Sequence, residues 1–119
     1  MTPASDPLPP LIDGLEDFLR HNGQPVRLAG RYRSVPAPLR GVRRPDAVAD
    51  HAMLLLQDGA KVYVEALGSG RARRPDEERA QFEGRDVVMT GIAHATMPMA
   101  GSRLDSPCLS NVRQVAERP

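Results

Sequence analysis

The amino-acid sequence predicts an all-β domain with short helices, built as a five-stranded antiparallel barrel. Three strand-like runs follow one another from Pro25, a short helix with clear start and stop signals comes next, and two more strand-like runs complete the order. A helix between the third and fourth strands of a five-stranded set is typical of a small closed barrel. The chain of 119 residues suffices for one domain with a modest core.

The residues before the predicted barrel, 1–24, divide into two parts. Residues 1–10 contain four prolines, which disfavour helix and sheet, so we expect a mobile arm there. A short amphipathic helix follows, because apolar residues recur at helical spacing up to a stop near Gly23. Its apolar stripe is Leu11, Ile12, Leu15, Phe18 and Leu19. So short a helix is marginal alone in water, so the stripe should pack on its own barrel or, alternatively, on a partner protein.

The first three strands of the barrel are expected within residues 25–67. Apolar residues alternate with arginines around Gly30, which is typical of a half-buried strand that bends at its glycine. Residues 34–50 hold three prolines and are expected to form a long loop. The second and third strands are expected at 51–57 and 60–67, joined by a primed two-residue turn at Asp58-Gly59.

The helix and the last two strands are expected within residues 75–115. Pro75 and the acidic residues after it favour a helix start, Gly84 favours its end, and Phe82 is the expected core contact. The fourth strand is expected at 85–95 and the fifth at 108–115. Apolar residues in the fifth strand are spaced by three, which indicates either a β-bulge or a different register. The barrel should end at residue 116, with a tail at 117–119.

Residues 25–116 resemble an OB-fold domain in their element order, in the glycines of the first and fourth strands (Gly30, Gly91), and in the helix at 75–83. The run Val26-Arg27-Leu28-Ala29-Gly30-Arg31, followed by Pro38-Leu39-Arg40, is also similar to the opening of bacterial single-stranded DNA-binding proteins. The rest of the chain departs from that family, so its binding residues are not carried over. The resemblance implies a domain that binds nucleic acid or, alternatively, protein.

The charge distribution favours a nucleic-acid interface in one region. The whole chain has 16 basic and 15 acidic residues, so its net charge of +1 exerts no general attraction on nucleic acid or membrane. Residues 25–44 nevertheless contain six arginines and no acid. Their expected positions, on the first strand and in the loop after it, border the groove that OB folds commonly use. These residues are Arg27, Arg31, Arg33, Arg40, Arg43 and Arg44.

Aromatic side chains, on which bases stack, are scarce. Tryptophan is absent, and Phe18, Tyr32 and Phe82 are expected in structural roles, which leaves Tyr63 as the stacking candidate. One stacking platform predicts weak, salt-sensitive binding to single-stranded DNA or RNA. Two alternative interpretations remain open. In the first, the arginines are solvated residues on an exposed strand face and bind nothing. In the second, the domain is a protein-interaction or adaptor module that uses residues 11–22 or its outer strand faces.

Nothing in the sequence favours catalysis, and we expect neither an enzyme nor a cofactor. His21, His51 and His94 are separated by 30 and 43 positions, without short ligand spacing, so no metal site is expected. The single cysteine, Cys108, excludes an intrachain disulfide and is expected to be a small buried side chain. The start lacks a basic leader and the longest apolar run is residues 52–56, so we expect a cytoplasmic protein without a membrane segment.

Overall fold

The structure, a computed structural model, describes residues 8–38, 48–65, 74–99, 102–104 and 106–118. These residues form eight strands and two short helices, which confirms the all-β class with short helices. The elements in chain order are β1 (Leu11–Ile12), α1 (Leu15–Arg20), β2 (Pro25–Pro38), β3 (Val48–Leu55), β4 (Lys61–Val64), α2 (Asp76–Phe82), β5 (Asp86–His94), β6 (Met97–Met99), β7 (Ser102–Leu104) and β8 (Cys108–Glu117). Neither helix is long and apolar enough to cross a membrane.

Six strands form one mixed sheet centred on β2. β2 pairs antiparallel with β5 along residues 25–31 and with β3 along residues 31–38. The pairs β3–β4 and β5–β8 are also antiparallel, whereas β4–β8 and β1–β2 are parallel. The expectation of a purely antiparallel set is therefore wrong at β4–β8. A hairpin forces antiparallel pairing, but β4 and β8 are separated by α2 and β5, and so long a connection permits a parallel pair.

The strand β2 extends through Pro38, into residues that the sequence assigns to a loop. The strand tolerates Pro36 and Pro38 because the backbone nitrogen atoms at these positions point away from β3. The backbone N–H of Ser34 turns away from β3 and donates to the Glu83 carboxylate, at 2.9 and 3.1 Å. Backbone direction repeats every second residue in a strand, so Pro36 and Pro38 lack an N–H only on that same side. The pairing with β3 is unaffected.

The amphipathic segment begins as a strand, so the predicted helix is wrong in its first turn. Leu11 and Ile12 form β1, since the Arg27 N–H donates to the Pro10 carbonyl at 2.9 Å and adds this segment to β2. The helix α1 starts only at Leu15. Ile12 and Phe18 of the stripe are buried in the core of the domain, whereas Leu11 and Leu19 are exposed. Of the predicted mobile arm, residues 1–10, the structure describes 8–10, and the carbonyls of Pro9 and Pro10 both accept hydrogen bonds from Arg27.

The predicted β3–β4 hairpin is confirmed, but its turn differs. Leu56 N–H donates to the Ala60 carbonyl at 2.8 Å, which leaves a loop of three residues. Only Gly59 in this loop has a positive φ, +87°, whereas a type I′ turn needs two such residues. The Asp58 carboxylate accepts from Ala60 N–H at 3.0 Å and from Leu15 N–H at 2.9 Å. The hairpin is thereby tied to the start of α1.

The core lies between the inner face of the sheet and the two helices. Phe82 of α2 is buried, and its ring centre lies 6.4 Å from that of Tyr32, as the sequence predicts for a helix that packs on the strands. Fully buried residues from β2, β3, β4, β5 and β8 surround them: Val26, Leu28, Leu54, Val62, Val64, Val87, Met89 and Leu109. The predicted helix at 75–83 is confirmed at Asp76–Phe82.

The predicted bulge lies where β5 meets β8. The register between these strands shifts between Thr90 and Ile92, and Asn111 of β8 has a φ of +51°. At Gly91 the strands approach so closely that a Cβ would lie 2.7 Å from the Ser110 carbonyl oxygen. β8 continues to Glu117, one residue into the predicted tail. The ribbon β6–β7 lies between the predicted fourth and fifth strands, where no strand was expected.

Candidate nucleic-acid interface

The outer face of β2, β3 and β4 carries three of the residues that the sequence singles out, Arg31, Arg33 and Tyr63. Strand alternation turns Tyr32 inward and its neighbours Arg31 and Arg33 outward, where both are exposed. The strand register then places outward residues in two rows across the sheet. One row is Arg31–Leu55–Lys61 and the other is Arg33–Met53–Tyr63. The rows lie about 6.8 Å apart along the strands.

Two cations of this face are available to a ligand. Among the described residues, the side chains of Arg33 and Lys61 make no hydrogen bond or ion pair, and both residues are exposed. Arg31 forms an ion pair with Asp86, with 3.4 Å between Nε and Oδ1, and both side chains are more than half exposed. Exposed ion pairs contribute little, so the Arg31 guanidinium can exchange its partner at small cost.

Arg27 is held by the N-terminal residues of the chain. Its Nε donates to the Pro9 carbonyl at 2.8 Å, in addition to its backbone bond with Pro10. One of the N–H groups of the Arg27 guanidinium is therefore already hydrogen-bonded within the domain. The sequence alone gives no sign of this bond. Three further arginines predicted at this site, Arg40, Arg43 and Arg44, lie outside the described residues, and their contribution stays a prediction.

Tyr63 is half-buried on the outer face and rests against His51. The two ring centres are 5.5 Å apart and the ring planes meet at 70°, an edge-to-face contact. His51 is only 4% exposed, and its Nε2 donates to the Glu65 carbonyl at 3.1 Å. Burial lowers the pKa of His51 below its ordinary value, so the imidazole is neutral at pH 7.

Glu65, the residue after β4, carries a buried carboxylate. It is 3% exposed and has a φ of +67°. Its two carboxylate oxygens accept the backbone N–H groups of Asn111 and Val112, each at 3.0 Å. Nη1 of Arg74 lies 3.8 Å from the same carboxylate. These partners offset the cost of burying a charge and join β4 to the bulge of β8.

Arg74, two residues before α2, is used inside the domain. Arg74 donates to both carboxylate oxygens of Glu78, at 2.6 and 2.8 Å, and the Tyr32 hydroxyl donates to Glu78 at 2.9 Å. Burial, followed by this bond, raises the pKa of Tyr32. Arg74 and Glu78 thus form an ion pair that joins a residue before the helix to its first turn. Arg71 and Arg73 lie outside the described residues.

Two further reactive side chains, Cys108 and His94, lie opposite each other where β8 pairs with β5. Cys108 is fully buried, and burial raises the pKa of its thiol to about 12, so it stays protonated. His94 Nε2 and Ser110 Oγ are hydrogen-bonded at 2.6 Å. Within the described ranges, no group of three or more His, Cys, Asp or Glu residues could hold a metal ion.

Comparison with protein-family models, with curated proteins and with solved structures finds no match to this chain. The geometry of the β2–β4 face is therefore the basis for inferring function.

Proposed function

We propose that the protein is a non-catalytic OB-fold module that binds single-stranded nucleic acid weakly on the outer face of β2, β3 and β4. The strand pairings support the fold in this proposal. They run β2–β3–β4–β8–β5 and return to β2, so each of these five strands has two neighbours. Such a circuit removes free edges in the way that a barrel does. The helix α2 follows the third strand of the circuit, where an OB fold has its helix.

The position of the basic and aromatic residues supports the binding role. OB folds bind oligonucleotides on the face of their second and third strands, which correspond here to β3 and β4. Lys61 and Tyr63 are on that face of β4, and Arg33 is two strands away in the Tyr63 row. A strand of nucleic acid can stack one base on Tyr63 while phosphates contact Arg33 and Lys61. One ring thus lies beside two cations that have no partner among the described residues, and this observation carries the proposal.

The same geometry limits the affinity. One stacking platform contributes about 1–3 kcal/mol, and a few phosphate contacts add a term that salt weakens. The expected dissociation constant is therefore micromolar or poorer, with little sequence preference, because the arginines and Lys61 contact phosphate rather than base edges.

Fluorescence anisotropy with a labelled single-stranded oligonucleotide tests the proposal over a series of salt concentrations. Arg33→Ser and Lys61→Ser are each expected to flatten the plot of log K against log salt by about 0.7, the contribution of one phosphate contact in a single strand. Tyr63→Ala is expected to weaken binding by about 1–3 kcal/mol with the slope unchanged, because stacking releases no counterions.

Two arginines provide matched controls for this titration. Arg113 is exposed on β8, outside the proposed face, so Arg113→Ser should leave the slope unchanged. Arg27→Ser should flatten the slope less than Arg33→Ser does, since Arg27 already donates to Pro9. The proposal is wrong if wild-type protein shows no binding at about 50 mM salt.

A protein-interaction role is the second candidate, and one observation favours it. The large exposed hydrophobic residues of the described chain all lie in its N-terminal segment: Leu8 is 74% exposed, Leu11 47% and Leu19 40%. Isolated exposed leucines are common, but three within twelve positions favour a contact with another protein. A partner that is lost with Leu11→Ser and Leu19→Ser, but retained with Arg33→Ser, would distinguish this function from nucleic-acid binding.

A further inference from the structure

His51 is buried on the outer face of the sheet, away from the main core. The inward residues of β3 are Ala52 and Leu54, and strand alternation turns His51 to the side that carries Tyr63. A polar ring in a buried position needs a hydrogen-bond partner, and the Glu65 carbonyl supplies it at 3.1 Å. Because a carbonyl only accepts, Nε2 carries the proton. The ring is therefore fixed in one tautomer and one orientation.

The ring of Tyr63 is in contact with this fixed ring. Its centre lies 5.5 Å from that of His51, with 70° between the planes. The support continues beyond His51, since the Glu65 that accepts its hydrogen bond is itself held by the backbone of Asn111 and Val112. Tyr63 thus rests on a chain of contacts that ends in β8 on the far side of β4.

We propose that His51 is a positioning residue that holds the Tyr63 ring in the orientation in which a base stacks on it. The inference rests on the proposed function and assigns to that site a second residue, which does not touch the ligand. An unsupported tyrosine on an open sheet face loses side-chain freedom when a base stacks on it, and that loss weakens binding. A ring already held in place loses less, so His51 raises the affinity through Tyr63.

Two substitutions separate the ring contact from the hydrogen bond. His51→Phe keeps an aromatic ring beside Tyr63 and loses the bond to Glu65. His51→Gln keeps an N–H donor for Glu65 and loses the ring. If His51 positions Tyr63 through its ring, His51→Gln should weaken oligonucleotide binding about 2- to 10-fold, with the salt slope unchanged, and His51→Phe should restore most of it.

Stacking is read directly with an oligonucleotide that contains 2-aminopurine, whose fluorescence falls when the base stacks. His51→Gln should reduce this quenching and His51→Phe should retain it, with melting curves to show that both variants are folded. The inference is overturned if His51→Gln keeps the quenching and the affinity of the wild type, whatever His51→Phe does. Wild-type binding and the Tyr63→Ala effect would then still support the proposed function.

A second readout needs no nucleic acid. Fluorine NMR of protein that contains fluorotyrosine should show two resonances, because the chain has two tyrosines, Tyr32 and Tyr63. The variant Tyr63→Phe lacks the Tyr63 resonance and thereby assigns both. The Tyr63 resonance should move towards the value of free fluorotyrosine in His51→Gln and stay near its original position in His51→Phe. If neither variant moves it, His51 does not position the ring, whether or not an oligonucleotide binds.

Discussion

Glu65 connects three parts of the domain through one carboxylate. It accepts two backbone N–H groups from the bulge of β8, lies 3.8 Å from Arg74 before α2, and offers its own carbonyl to His51. It also has a left-handed backbone, which is uncommon for a residue other than glycine. The bonds that the carboxylate makes supply the free energy that keeps this conformation.

Glu65→Gln should therefore destabilise the protein by about 1.5–3 kcal/mol. The amide NH2 of glutamine would face one of the donors that the carboxylate now accepts, and the charge that attracts Arg74 would be lost. The free energy of unfolding in urea measures the effect. Glu77→Gln, at an exposed position of α2, is the matched control and should change stability by less than about 0.5 kcal/mol. Equal losses in the two variants would contradict the role given to Glu65.

The helix α2 is too short to be stable by itself and depends on its contacts with the strands. It has seven residues, with acidic side chains in its first turn where they favour the helix dipole. Phe82 packs beside Tyr32, while Glu78 bonds to both Tyr32 and Arg74. One apolar and one polar contact thus hold the helix on the same strand, β2.

Phe82→Ala should cost about 3–5 kcal/mol of stability, because the side chain is buried and the space it leaves cannot close completely. Gln81→Ala, an exposed neighbour on the same helix, is the control and should be close to neutral. Chemical denaturation of both variants checks the prediction. A loss below about 1 kcal/mol for Phe82→Ala would show that the helix is not part of the core.

At the scale of the whole molecule, two histidines make stability depend on pH. Burial lowers the pKa of both His51 and His94 below the ordinary value of about 6.5. Hydrogen bonds to the backbone of Glu65 and Val64 oppose this effect at His51, and the charge of Glu65 opposes it at both residues. In the unfolded chain both imidazoles take up a proton near pH 6.5, but in the folded protein they remain neutral to lower pH. The unfolded state binds more protons in this window, so stability is greatest above it and falls as the pH falls.

We expect the free energy of unfolding to decrease from about pH 7.5 to about pH 5.5, by up to about 1.4 kcal/mol per pH unit for His51. His94 should contribute less, because it is only partly buried and solvent screens its interactions. His51→Phe should make this dependence shallower, since phenylalanine does not titrate. Urea titrations at several pH values measure it. An unchanged pH dependence in His51→Phe would mean that the pKa of His51 is not lowered in the folded state.

The order of β2, β3, β4, α2, β5 and β8 was predictable from sequence because it depends on local interactions. Apolar alternation indicated β2, the glycine after Asp58 indicated the hairpin, and proline and acidic residues indicated the start of α2. The outer face of the candidate site was predictable for the same reason. Once β2 is a strand with Tyr32 inside, Arg31 and Arg33 must be outside.

Only the tertiary structure decided the direction of β8, the strand at Leu11–Ile12, and the partners of Arg27, His51 and Glu65. Each depends on groups brought together from distant positions, such as Glu65 and Asn111, which are 46 residues apart. An apolar stripe indicates which residues are buried, but not which backbone geometry buries them. The local sequence likewise indicates that the side chain of Arg27 points outward, but not that its guanidinium already donates a hydrogen bond to a carbonyl of the N-terminal segment.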